Sequence, residues 1–538
     1  MTNPVPFPTE RVVDVLIVGA GVRGLALARQ LTARGLQVQV IEARDRLGGR
    51  VLTQPCPATG QALDLGPRWF WTNTEPRITA LLAELGLAST PQHDPGDALW
   101  LTDPNRQAER RIEPDGVHVG ARCIEGGSAR LIDALAAQLP PDCIRLGVAV
   151  QALRDKGSWI EVLLAAGRPL RARQVVLAMP PRLVQEKIEF MPALPDDIDA
   201  ALAQTPTWMA AQARSVTTYA QPFWREAGES GNAFVRHAQA VLAEVFDSSQ
   251  ADKGGALGGF VALNAEQRES FKRGLPLLID SQLAQLFGAQ AQDGHLYLQD
   301  WANEPWTCSA IDRASPPELP VNQPLLRQPQ WSGRVFLGGT ETAAHGAGHM
   351  EGALEAADRI AHAICRPRTD AASAAAPNGT QDSRQTALAQ FVATVLSLRG
   401  LAPERYRQHL TQLLSSQQAE LLTQRALLAT ADQAYSEALA RLDELLPALD
   451  AAHAEVVNGR HALSPALLAA FDGWNKGLLD AALSFNGTSC ALSNFAQEHH
   501  PDADTLRAIT LDLAAAWREF ALELNTRLLA ASGHAELV

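Results

Sequence analysis

The apolar run from Val12 to Val18, followed at once by Gly19-Ala20-Gly21-Val22-Arg23-Gly24, constrains this chain more than any other stretch. A β-branched run of a strand's length that ends on glycine reads as a buried parallel strand. Leu25 to Arg34 then shows helical spacing, Gly35 ends it, and Val38 to Ile41 forms a second apolar strand closed by Glu42. Residues 12 to 42 therefore predict one βαβ unit, and alternation of this kind predicts an α/β fold with a doubly wound sheet. In that setting Gly19 permits the tight turn, Gly21 lets a pyrophosphate approach the backbone, and Gly24 lets the helix pack closely, while the helix N-terminus favours the anion. Glu42, roughly 20 residues beyond the first glycine, stands where a carboxylate accepts hydrogen bonds from a ribose diol. The unit predicts a bound dinucleotide without saying which.

At 538 residues the chain exceeds the roughly 250 to 300 residues at which one core stops growing, so at least two domains are expected. A net charge of −13 argues against a nucleic-acid partner, which needs clustered Lys and Arg to displace counterions. Cysteines 56, 123, 143, 308, 365 and 490 form neither a CxxC pair nor a disulfide framework, so a reducing compartment is expected. The start of the chain has no basic region followed by a cleavage site, and no stretch approaches the ~18 apolar residues that span a bilayer. This reading predicts a cytoplasmic protein without an export signal. His93 and His499-His500 lack metal-ligand spacing, and no GxSxG, HExxH or P-loop occurs, so no metal is assigned. Ser128, after Glu125-Gly126-Gly127, reads as a turn or helix cap rather than a nucleophile.

Beyond Gly60 the signals mix. Glu75 to Leu87 and Ser128 to Leu139 read as helices; Cys143 to Val150, Trp159 to Leu164, Val175 to Ala178, Arg214 to Tyr219, Ala240 to Phe246 and Arg334 to Leu337 read as strands. This pattern predicts a nucleotide-binding domain in three pieces, 1–75, 141–185 and 306–366, interleaved with an α+β substrate domain in two, 76–140 and 186–305. Residues 367–386 have linker composition, and 387–538 carry one apolar helical face. Pro447, Asn458-Gly459 and Asn486-Gly487 punctuate that region into a predicted bundle of four or more helices.

After Glu42 come Ala43-Arg44-Asp45-Arg46-Leu47-Gly48-Gly49-Arg50, and here the chain resembles the flavin-dependent amine oxidase family, the monoamine, polyamine and L-amino-acid oxidases. The family follows its ribose-binding Glu with a similar Arg-x-Gly-Gly-Arg segment along the FAD pyrophosphate. The physics agrees, because the glycines expose backbone donors and Arg50 offers a bidentate fork. The likeness continues at Gly66-Pro67-Arg68-Trp69, similar to the segment beside the flavin ring, at Val148, which looks like the adenine-contacting position, and at Val175 to Pro181. It closes at Gly338 to Thr342 and Gly348 to Ala353, where the resemblance implies that Glu341 contacts the cofactor and that a helix beginning near Met350 aims its N-terminus at flavin O2. The resemblance spans residues 11 to 366, so the first 50 residues and 333–363 together imply an FAD site that includes Ala20, Ala43, Arg44, Gly49 and Arg50.

On the substrate side, Pro222-Phe223-Trp224-Arg225 and Asp300-Trp301 to Trp306 also look like the family, and Trp301 is implied to pack near the flavin. Arg214 stands where many members have a Lys that holds a water at flavin N5, and Arg cannot titrate as a buried Lys can. Ala310 occupies the position of the flavin-linking Cys of monoamine oxidases, so FAD is expected to be noncovalent, with Cys308 a buried small hydrophobe. Ile311 and His349 occupy two aromatic-cage positions, and His349 is a candidate acid or base. The resemblance implies an amine oxidase that transfers hydride from a C–H next to nitrogen to flavin N5, with oxygen or another electron acceptor. An FAD-dependent desaturase, dehydrogenase or tailoring enzyme on a non-amine substrate is an alternative. Another is an assembly protein that forms a homo-oligomer or binds a partner through the C-terminal helices.

Overall fold

The computed structural model describes residues 12–112, 116–315, 323–344, 346–365, 381–415, 421–449, 456–457, 459–488, 492 and 496–532. Two compact units divide the chain, Met1–Arg366 and Pro367–Val538.

The first unit is built on an eight-stranded sheet whose parallel core is formed by strands Ile144–Arg145, Val38–Ile41, Val13–Val18, Leu170–Leu177 and Val335–Leu337, side by side in that order. Strand Leu170–Leu177 serves two neighbours. Its first half pairs antiparallel with Ile160–Leu164 and its second half parallel with Val335–Leu337, which brings the end of this unit back to the nucleotide-binding sheet. Helix Val22–Ala33 buries Leu25, Leu27, Ala28 and Leu31, and helix Met350–Cys365 shares its core through Ala353, Leu354, Ala357 and Ile360. Each leucine removed from water contributes about 2 kcal/mol, so the two helices are fixed by packing and their N-termini are fixed with them.

A second, seven-stranded sheet runs His295–Asp300, Ala213–Tyr219, Gly255–Val261, Leu242–Asp247, Glu229–Val235, Asp97–Leu101 and Glu109–Arg111, with helix Leu275–Phe287 packed in its core. The expected α/β nucleotide-binding sheet interleaved with a second, mixed layer is therefore present. The stretch read as one strand from Cys143 to Val150 is instead two, Ile144–Arg145 and Val150–Asp155, because Gly147 turns the chain at φ +69° between them.

In the second unit, helices Gln381–Ser415, Leu422–Leu449, Ser464–Ala469, Trp474–Thr488, Ala496–His499 and Ala503–Ala531 bury one another's apolar faces. Residues 381 to 386 are helical rather than linker. Pro447 and Asn486-Gly487 lie inside helices, not between them. Pro447 falls in the last turn, where losing one backbone bond costs little. Asn486 is fully buried; Tyr406 Oη donates to its Oδ1 at 2.8 Å and its Nδ2 donates to Thr423 Oγ1 at 2.8 Å, so its side chain ties helices together. Asn458 lies outside the described residues, and Gly459 belongs to the turn of a small hairpin that pairs Val456–Val457 with Arg460–His461. Among the described residues, no helix is long and apolar enough to cross a membrane.

Candidate functional site

The glycine turn leaves the first strand with Gly19 at φ +110°, a left-handed conformation that favours glycine. A Cβ on Gly24 would sit 2.0 Å from Gly19 O, whereas one on Gly21 would meet nothing nearer than Gly48 O at 3.7 Å. Gly24 is thus demanded by helix packing, and Gly21 leaves the backbone approachable. Glu42 closes the second strand and is buried; Ala20 N–H donates to its Oε2 and Arg44 N–H to its Oε1, each at 2.9 Å. Val148 N–H donates to Glu42 O at 2.8 Å, which puts the predicted adenine-side position beside the predicted ribose carboxylate. Ala43 follows Glu42 half-buried, and Arg44 reaches across to Glu304 Oε2 at 3.0 Å and Thr307 Oγ1 at 2.7 Å.

Gly48 is bridged to Gly21, Gly49 follows in a left-handed turn, and together they deliver Arg50 to the closing segment. Arg50 Nη1 lies 2.6 Å from Glu341 Oε1, while its aligned donation goes to Trp208 O at 2.8 Å. Glu341 is 0% exposed and neither of its oxygens has a hydrogen-bond partner among the described residues. Arg23 is in the same situation: it donates through Nη1 to Leu177 O at 3.3 Å, its Nε and Nη2 are unpartnered, and the guanidinium covers Gly338, where a Cβ would clash with it. Met350 is buried and begins the closing helix. His349, just before it, tilts over Trp208 at 5.4 Å and pairs Nδ1 with Ala347 O at 3.0 Å. The enclosed imidazole, with Arg50 nearby, is held below its ordinary range, so it is neutral at pH 7. Ile311, the other predicted cage position, is 40% exposed on the short helix Ala310–Ala314. Cys308 is buried, and burial pushes its thiol up to about 12, as fits a small hydrophobe.

The segment Leu65 to Trp69 is held from the side of the second sheet. Trp301 is buried and its Nε1 donates to Leu65 O at 3.1 Å, while Arg214, on strand Ala213–Tyr219, donates through Nη1 to Gly66 O. Ser128 Oγ donates to Pro67 O at 2.7 Å; Ser128 precedes helix Ala129–Ala137 but makes no side-chain cap, so its hydroxyl fixes the Pro67 loop rather than capping the helix. Arg68 is buried and gives Nε to Gln92 Oε1 at 3.3 Å. Trp69 packs its ring against His118 at 4.4 Å and Phe246 at 4.7 Å.

Four residues here have roles that no motif predicted, although Arg23 and Glu351 lie inside the Gly19–Gly24 and Gly348–Ala353 segments. Arg23 is visible only as a charge in the buried first turn of an apolar helix. Glu351 accepts from the backbone N–H groups of Arg77 and Ile78 at the start of helix Pro76–Glu84, each at 3.0 Å, and so pins that helix to the closing one. His118 is clamped between Asp94 Oδ1 and Glu244 Oε1, each at 3.2 Å. Burial alone would lower this imidazole, but the two carboxylates raise it to about 9. Trp208 provides the carbonyl for Arg50 and the ring for His349.

The side chains fit FAD. A glycine cradle opens onto a helix N-terminus, a buried Glu42 stands at the predicted ribose position, and a fully buried Glu341 lies beside Arg50. The family model for flavin containing amine oxidoreductases matches residues 24–116 and 110–365. Amine oxidase [flavin-containing] B of Sus scrofa is 25% identical over 452 residues, covering 65% of this chain and 86% of the relative. Putrescine oxidase of Kocuria rosea is 25% identical over 456 residues, covering 63% of this chain and 92% of the relative. A solved structure of putrescine oxidase bound to putrescine shares the fold with a TM-score of 0.55 at 23% identity, over 66% of this chain and 99% of that one. The chain therefore belongs to the flavin-containing amine oxidoreductase family and is an FAD-dependent oxidoreductase.

Proposed function

We propose that this protein oxidises an amine at the carbon next to nitrogen, giving an imine that hydrolyses. FAD, when bound, would supply the two-electron acceptor for that C–H bond, with oxygen as the terminal oxidant and hydrogen peroxide as its product. Gly19, Gly21 and the N-terminus of helix Val22–Ala33 hold the pyrophosphate, Glu42 the ribose, and Arg44, Gly49, Arg50 and Glu341 the stretch between them. Gly66, Pro67, Arg68 and Trp69 line one side of the reacting face, with Arg214 and Trp301 behind them. Their work is positioning and exclusion of water. His349, neutral and turned onto Trp208, forms a wall there, not a strong base. With no sulfur at Ala310, the FAD is noncovalent.

The observation that carries this reading is the pair of hydrogen bonds from Trp301 to Leu65 and from Arg214 to Gly66, which fasten the second sheet to the segment following the nucleotide site. Residues 1–75, 141–185 and 306–366 form the FAD-binding lobe in this assignment, 76–140 and 186–305 the substrate lobe, and the protein works in the cytoplasm. Mixing with a panel of primary and secondary amines without oxygen bleaches the flavin spectrum, and air restores it with stoichiometric peroxide. Bleaching without peroxide would make the protein a dehydrogenase with another acceptor; no bleaching by any amine would sink amine oxidation.

A further inference from the structure

Trp69, assigned above to the reacting face, is held by polar groups as well as by packing. Its Nε1 donates to Gln92 Oε1 at 2.9 Å, while its ring meets the imidazole of His118 at 4.4 Å and the ring of Phe246, nearly edge-on, at 4.7 Å. The backbone couples the two residues as well. Strand Trp69–Trp71 pairs with Ala121–Ile124, and Ala121 N–H donates to His118 O at 2.9 Å. A shift of the imidazole therefore moves the support of the indole.

The position of His118 calls for two donors. Its side chain is fully buried, with Nδ1 3.2 Å from Asp94 Oδ1 and Nε2 3.2 Å from Glu244 Oε1. A neutral imidazole has a single N–H and would leave one carboxylate facing a ring lone pair. Burial opposes the second proton, but the two carboxylates hold the group up to about 9, so the bridge is complete below pH 6.5 and is lost as pH rises through about 9. Asp94 is itself fixed, accepting from His118 N–H at 2.7 Å and Asn232 Nδ2 at 2.9 Å. Glu244 stands opposite Phe260, and Phe260 opposite Arg214, on neighbouring strands, so the three side chains share one sheet face. Other charges bear on the pair. Arg214 and Arg236 feel Glu244, and His93, which burial holds below its ordinary range, feels Asp94. Burial lowers Arg214 to about 10, which makes it the competing group at alkaline pH.

We infer that His118 is a positioning residue: bridging Asp94 and Glu244, it presses Trp69 into the wall of the reacting face and so sets the affinity for substrate. This inference rests on the amine-oxidising role proposed above in taking Trp69 for a substrate wall. Loss of the bridge weakens substrate binding and spares the chemical step, which His118 does not touch.

The test follows tryptophan emission of the FAD-loaded protein between about pH 6 and pH 10, taking in each background the part that Trp69→Phe removes. Wild type is expected to change with a midpoint near pH 9. His118→Gln, which keeps one donor, stays flat; Glu244→Gln, which removes one of the carboxylates holding the proton, moves the midpoint down by roughly one unit or more. Far-UV circular dichroism stays constant throughout. A transition that survives in His118→Gln belongs to Arg214, and a midpoint that Glu244→Gln leaves in place does not come from the bridge; either overturns the proposal. So does a loss of helix signal with the same midpoint, because His118 would then hold the fold rather than Trp69. If His118→Gln does not fold, Glu244→Gln decides. A second arm takes an amine that bleaches the flavin and compares wild type with His118→Gln at each pH, which cancels the ionisation of the amine itself. The wild-type KM is expected to rise about tenfold through the same midpoint, towards that of His118→Gln, with kcat changing less than about twofold. A ratio of the two KM values that does not vary with pH overturns the positioning role and leaves amine oxidation standing. An emission transition that obeys the variants, with no amine turned over, sinks amine oxidation and leaves the bridge standing.

Discussion

Replacing Gly24 with alanine yields a protein that folds its second unit but is purified without flavin. The added Cβ would lie 2.0 Å from Gly19 O, a backbone atom that cannot rotate away. Either helix Val22–Ala33 moves off the sheet or the Gly19 turn opens, and both displace the N–H groups proposed to hold the pyrophosphate. Overpacking of this kind costs on the order of 3 kcal/mol, and at about 1.4 kcal/mol per decade it lowers FAD affinity roughly 100-fold. The measurement is flavin absorbance per chain in the protein as purified and desalted. A G24A protein as yellow as wild type would mean that this turn does not hold the cofactor.

Arg50→Ala produces the second large effect, and on stability even before cofactor is considered. Glu341 is 0% exposed, and Arg50, 2.6 Å away, is its ion-pair partner among the described residues. Removing one partner of a buried pair costs about 3 to 5 kcal/mol, because the remaining charge is stranded. In flavin-free protein the melting temperature of the first unit is expected to fall by several degrees. Adding Glu341→Gln to Arg50→Ala should recover at least half of that fall, since the double variant no longer strands the Glu341 carboxylate. An unchanged melting temperature in R50A, or no recovery in the double variant, would contradict the pairing.

Some of this was legible before any coordinates because its cause is local. The strand from Val13 to Val18, the glycine turn and Glu42 lie within thirty residues of one another, and each residue type is required by the geometry it adopts. The return of Val335–Leu337 to the same sheet was readable from a short apolar run ahead of two glycines. What escaped depends on partners far apart in the chain. His118 is unremarkable until Asp94, in the loop before strand Asp97–Leu101, and Glu244, on strand Leu242–Asp247, are brought to either side of it. Glu351 caps a helix 273 residues away. The helical region misled for a related reason: Asn486-Gly487 has the composition of a turn, yet burial and two side-chain bonds to neighbouring helices hold it helical. Arg214 stands where the resemblance places a lysine, and only the fold shows it buried among the rings of Trp69, Phe246 and Phe260.

The central claim is that the glycine turn, Glu42, the Arg50–Glu341 pair and the helix from Met350 converge on FAD. An absorption spectrum of the protein, reconstituted with FAD, desalted and then precipitated with acid, tests it most directly. The account predicts a yellow protein whose flavin is released entirely into the supernatant as FAD. A protein that stays colourless after reconstitution contradicts it.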